Sequence, residues 1–270
     1  MSDSAGAVTS AIASAGGHAI CAYVTAGYPS RETFPEVLTS VATAADVVEV
    51  GIPFTDPMAD GQTIQQASHE ALAQGVDLDY VFETLGSHQL SVPYLLMGYY
   101  NPFLAYGLDR LVDRMGSAGT SGVIVPDLPI EESGELAATL EARGQGLVQL
   151  VAPTTPPDRL RKLAAASRGF VYAVTTKGTT GGSTRFDPDV LDYLDRVKAV
   201  SELPVLAGFG VRERSQMAEL VGHVDGVVVG SALIDAIARG DDPGRFLQEL
   251  RPVGSFRCGR NREEGAGGSG

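Results

Sequence analysis

Lysine is scarce in this sequence. Three stand beside seventeen arginines against thirty-three acidic residues, for a formal net charge of −13. A surface of that sign repels phosphate backbones and anionic headgroups, which argues against a nucleic-acid binder or a general membrane-surface binder. Cysteine is rarer still, with two. Cys21 lies in an apolar segment and Cys258 in a polar tail, so no disulfide framework is expected and the usage is that of a reducing compartment. No apolar run approaches the roughly 18–20 residues of a membrane span. The start, MSDSAGAVTS, lacks the basic opening of a signal peptide. A soluble cytoplasmic protein is expected. The four histidines, His18, His69, His88 and His223, all fall outside the late positions of strand-like runs, so no metal centre is expected.

What is present is a rhythm. Short β-branched runs recur, each followed by a turn and a helical stretch: residues 19–27, 47–53, 94–99, 122–127, 146–153, 169–175, 204–210 and 226–231. Most are apolar throughout rather than alternating, as parallel strands covered on both faces must be. Helix starts are marked between them. Thr155-Pro156-Pro157-Asp158 offers a cap, early prolines and a first-turn acid, Asp187-Pro188 repeats the device, and Ser30 is a candidate cap after the first run. Eight βα units over about 250 residues match a single-domain (β/α)8 TIM barrel in the α/β class, with a doubly wound open sheet as the lesser alternative. The domain is expected to span residues 1–252. The Gly-rich, charged stretch 253–270 is expected to be a disordered tail.

In a barrel, chemistry gathers at the C-terminal ends of the strands. Glu49 lies late in the second run and Asp60 in the loop after it. No basic residue occurs between Arg31 and Arg110 to pair locally with Glu49. A carboxylate among Val47, Val48, Val50 and Ile52 resists ionisation, which moves its pKa toward the range useful for proton transfer. Asp60, flanked by Gly61, reads as better solvated and charged, so the two acids can divide acid and base work. Glycine-bearing loops follow runs six, seven and eight: KGTTGGST (177–184), Gly208-Phe209-Gly210 and Gly230-Ser231, the last opening into a short helical run. Amides on such loops, with a helix N-terminus, form a phosphate cradle that needs no nearby arginine. Lys177 leaves a Schiff-base alternative open, although its glycine loop would desolvate it poorly.

The stretch VEVGIPFTDPMADGQTIQ closely resembles the signature of the tryptophan synthase α chain family. The likeness continues through YYNPFLAYG, GVIVPDLPIEES, LVAPTTP, GFVYAVTTKGTTG, PVLAGFGV and GVVVGSALI. The resemblance implies a TIM-barrel lyase that cleaves indole-3-glycerol phosphate to indole and glyceraldehyde 3-phosphate in tryptophan biosynthesis, with no metal or organic cofactor of its own. It implies Glu49 as acid–base residue, Asp60 as acceptor for the indole N–H and Tyr172 beside the reacting centre. It places Gly181, Gly210, Gly230 and Ser231 at the phosphate, with Phe209, Tyr23, Ile64 and Ile124 walling the indole slot and Thr180 on a closing loop. It also implies docking on a pyridoxal-phosphate β chain, as an α2β2 assembly, through Pro53, Asp56 and the YYNPF loop. Gln62, Tyr28, Gly98 and the loop TTKGTTGG depart from the usual family residues. A Schiff-base aldolase and an α-like regulatory subunit are the alternative readings.

Overall fold

The computed structural model describes residues 3–175, 186–208 and 210–252. Eight parallel strands close into a barrel in sequence order. They are β1 (Ala19–Thr25), β2 (Val47–Gly51), β3 (Tyr94–Met97), β4 (Gly122–Ile124), β5 (Gly146–Val151), β6 (Val171–Val174), β7 (Val205–Gly208) and β8 (Gly226–Val229). Closure is made by β1 against β8, with Ala19 opposite Gly226 and Ala22 opposite Val229. Every run read from the sequence corresponds to a strand, but the pairing stops short of each run's C-terminal end. Ala26, Ile52 and Val125 lie beyond the paired segments and are still buried, so apolar character outlasts the ladder there. Those extra residues form the mouth of the barrel.

Alternation along each strand divides the interior. Val48 and Val50 face the large outer core under the helices. Val47 joins an inner cluster with Cys21, Leu95, Ile124, Val148, Phe170, Tyr172, Leu206 and Val228. The helix Ser4–Ser14 sends Val8 and Ile12 into that same cluster, plugging the N-terminal end of the barrel. Two glycines make room for rings at that end. A Cβ on Gly208 would sit 2.0 Å from the Tyr172 ring, and one on Gly51 would sit 2.1 Å from the Tyr23 hydroxyl.

Helix starts divide between confirmation and correction. Asp187 caps the helix Pro188–Val200 through its side chain, as expected. Thr155 does not cap the helix Pro157–Ala166, whose N-cap is Pro156; its hydroxyl instead accepts from the Ala152 amide at 3.0 Å and tightens the preceding turn. Ser30 likewise accepts from the Thr33 amide, one turn ahead of the helix Phe34–Ala44. Among the described residues no helix is long and apolar enough to cross a membrane. The tail 253–270, including Cys258, lies outside the described residues.

Candidate active site

Glu49 is the middle residue of β2, and strand parity turns it inward with Val47, away from the outer core that receives Val48 and Val50. It is 1 % exposed. Its hydrogen-bonding neighbour is the Cys21 thiol, with Sγ 3.9 Å from Oε2. Burial pushes the carboxyl up to about 8, with the charge of Asp60 adding to the shift and Cys21 opposing it. At neutral pH Glu49 therefore holds its proton and is poised as an acid.

Asp60 sits in the loop between β2 and the helix Gln62–Ala73. Gln65 pins that loop by donating to the carbonyls of Asp60 (2.9 Å) and Pro57 (3.2 Å). The Tyr99 hydroxyl donates to Asp60 Oδ2 at 3.2 Å and accepts from the Ala59 amide at 2.8 Å, while Phe54 packs on the Tyr99 ring with centroids 5.2 Å apart. Burial raises Asp60 to about 6 and the Tyr99 hydrogen bond restrains the rise. Asp60 is thus less solvated than its loop position suggests, yet it ionises before Glu49, and the order of the two acids stands.

Both acids line one cavity of about 80 Å³ with Tyr23, Ile64, Met97, Tyr172, Gly210, Val211, Gly230 and Ser231. Gly210 has φ +99°, a left-handed turn that favours glycine. The helix Ser231–Ala238 begins at Gly230, and no side chain among the described residues caps it. Its first N–H groups and positive dipole end therefore stand at the cavity, on the side where an anion would be held. A neighbouring cleft of about 460 Å³ shares Met97 and Tyr172 and runs past Pro126, Asp127, Leu150 and Arg159. Among the described residues no group of three or more His, Cys, Asp or Glu side chains is arranged to hold a metal ion.

Residues 10–253 match the family model described as tryptophan synthase alpha chain. The chain belongs to that family. The tryptophan synthase alpha chain of Roseiflexus sp. (strain RS-1) is 41 % identical over 237 residues, covering 86 % of this chain and 90 % of that one. That of Chloroflexus aggregans is 41 % identical over 230 residues, covering 84 % and 86 %. Among solved structures, tryptophan synthase from M. tuberculosis superposes with a TM-score of 0.83 at 36 % identity, covering 91 % of this chain and 96 % of that chain. A structure of the tryptophan synthase a2b2 complex from Pyrococcus furiosus gives 0.80 at 36 % identity, covering 87 % and 97 %.

Within this tryptophan synthase alpha chain fold, Glu49, Asp60, Tyr172, Tyr23, Ile64, Gly210, Gly230 and Ser231 come together at one cavity. Ile124 does not join them: it is wholly buried in the inner cluster and lines neither the cavity nor the neighbouring cleft, and Met97, its register partner on β3, fills that wall. Gly181, Thr180, Phe209 and Lys177 lie outside the described residues. Gly98, a departure from the family residue, is filled by its surroundings, since a Cβ there would meet the Phe103 ring at 2.6 Å.

Tyr99 was missed from the sequence, where YYNPF was assigned to partner contact alone. Its position just beyond β3, on the functional rim, was the available signal. Tyr99→Phe removes a donor to Asp60 and leaves the Ala59 amide without its acceptor. Loss of one such bond is worth roughly 1 kcal/mol, so a several-fold drop in kcat/KM is expected, with the low-pH limb moving upward as Asp60 becomes harder to ionise. A pH–rate comparison of the two proteins checks this; an unmoved limb would count against the assignment.

Proposed function

We propose that this chain cleaves indole-3-glycerol phosphate to indole and glyceraldehyde 3-phosphate by a retro-aldol reaction, as a lyase without a metal or organic cofactor of its own. The observation that carries the reading is one cavity holding a protonated, buried Glu49, an Asp60 that ionises at lower pH, and an uncapped helix N-terminus. The protonated Glu49 delivers its proton to indole C3, giving the indoleninium cation with its N–H retained. Asp60 accepts a hydrogen bond from the ring N–H as positive charge develops there, an interaction that strengthens toward the transition state. The resulting Glu49 carboxylate then takes the side-chain hydroxyl proton. The carbonyl forms, the C–C bond electrons return to the ring, and Glu49 ends protonated again. Burial keeps the Tyr172 hydroxyl protonated beside this centre, with the Glu49 charge reinforcing the effect. Amides at Gly210, Gly230 and Ser231 hold the phosphate.

A pyridoxal-phosphate β chain as partner, in an α2β2 assembly within the cytoplasm, belongs to the same reading. Asp56 lies on the β2 loop with Met58, whose side chain is 87 % exposed, an apolar surface suited to burial by a partner. Pyridoxal phosphate belongs to the β chain in this reading.

Indole release from indole-3-glycerol phosphate, with and without a β chain, tests the function; no release in either arm would refute it. The acids also set a pH profile. Asp60 must be ionised and Glu49 protonated at the start, so kcat/KM should climb through about pH 6 and fall through about pH 8. A profile flat from 5 to 9 would reject this division of roles.

A further inference from the structure

The sequence led to a phosphate cradle built from amides alone. The structure adds a cation. Arg212 follows the Gly210-Val211 turn that lines the cavity, and its Nη2 donates to Ser231 Oγ at 3.4 Å. Among the described residues it is the one guanidinium or ammonium group hydrogen-bonded to a cavity-lining residue. Its Nη1 is held at 2.9 Å by Asp235 Oδ2, one helical turn beyond Ser231. Asp235 Oδ1 accepts from Thr63 Oγ1 at 3.1 Å, on the helix that follows Asp60. The Arg212 amide donates to Gln216 Oε1 at 2.7 Å, which fixes the backbone beneath it.

We propose that Arg212 is a further phosphate-binding residue of this site, a guanidinium fixed by Asp235 at the rim so that Nη2 meets the phosphate beside Ser231; this rests on the lyase reading above. Two physical points support it. The Arg212–Asp235 pair is 46 % and 31 % exposed, where an ion pair adds little to stability, so the fold alone gives weak reason for it. The cavity holds the ionised Asp60 in a chain of net charge −13, which repels a phosphate dianion. Amide dipoles orient such a ligand but bring no net charge, whereas one guanidinium brings a full positive charge and a fork matched to phosphate oxygens. The neighbouring charges are engaged elsewhere. Glu213 takes part in the capping box of the helix Arg214–Leu220, and Arg214 donates to the Glu249 carbonyl.

The test uses glycerol 3-phosphate as probe, titrated calorimetrically into the full chain, with indole as a ligand that carries no phosphate. Arg212→Gln should weaken glycerol 3-phosphate binding by about tenfold, the scale of a partly exposed charge-assisted bond. It should raise KM for indole-3-glycerol phosphate in proportion, shift kcat much less, and leave indole affinity unchanged. Asp235→Asn keeps an oxygen to accept from Nη1 while removing a competing negative charge, so it should lose clearly less affinity for the probe than Arg212→Gln. Wild-type affinity in Arg212→Gln, equal losses in both variants, or no probe binding by the wild type would overturn the proposal. Indole release by the wild type is scored separately, so failure of the lyase reading is distinguishable from failure of Arg212 as a phosphate ligand.

Discussion

Glu49→Gln should cut indole release by about 10²–10⁴-fold, the usual worth of a general acid–base group. The same substitution should improve stability, relative to the wild type, as pH rises. Both effects come from one arrangement. In the folded chain the carboxyl keeps its proton to about pH 8, against an ordinary value of 4.5, because it is buried and faces Asp60. The stability tied to that proton is fully present below 4.5 and is lost as the pH climbs toward 8. Each unit of difference corresponds to ~1.4 kcal/mol, so the loss across the window is on the order of a few kcal/mol. Glutamine has no proton to release and avoids it. Its amide also leaves polar atoms in an apolar strand, which costs about 1–3 kcal/mol at every pH. The gap in melting temperature, variant minus wild type, should therefore grow steadily between pH 5 and 8. Glycerol 3-phosphate binding should survive, because the cradle belongs to β7 and β8. Full turnover in the variant, or a gap that ignores pH, would remove Glu49 from its role.

The fold was legible because parallel strands covered on both faces must be apolar along their length, and eight such runs leave little choice of architecture. Glu49 was legible for the same reason, as an acid with apolar residues on both sides within such a run. What local pattern does not encode is depth. Ile124 and Met97 are register partners, yet Met97 reaches the cavity and Ile124 stays in the inner core. The level an inward side chain occupies follows from strand tilt and stagger around the closed sheet. Asp60 shows a second limit. Its place on the rim could be read from the loop, but its desolvation and its bond to Tyr99 come from a residue on a neighbouring strand's loop. Arg212 is a third case, since its approach to Ser231 depends on the β7 and β8 loops lying side by side.

Asp60→Asn should reduce kcat/KM by about 10²-fold, the difference between charged and neutral hydrogen bonds to a group becoming positive. The amide oxygen can still accept from the ring N–H and from Tyr99, so substrate should still bind. What disappears is the negative charge that grows in value as C3 is protonated. A second consequence separates this role from simple loss of shape. Burial is the larger cause of the raised Glu49 value and the Asp60 charge the next. Neutralising position 60 takes away the second cause and leaves the first, so Glu49 should lose its proton at lower pH than in the wild type. The residual activity should therefore fall off on its alkaline side below about pH 8. Its acid limb, which reports ionisation of Asp60 near 6, should flatten. The measurement is a pH–rate profile of the variant from pH 5 to 9. An alkaline limb that stays in place or moves upward would mean that the two carboxyls do not sense each other, and the division of labour between them would have to be abandoned.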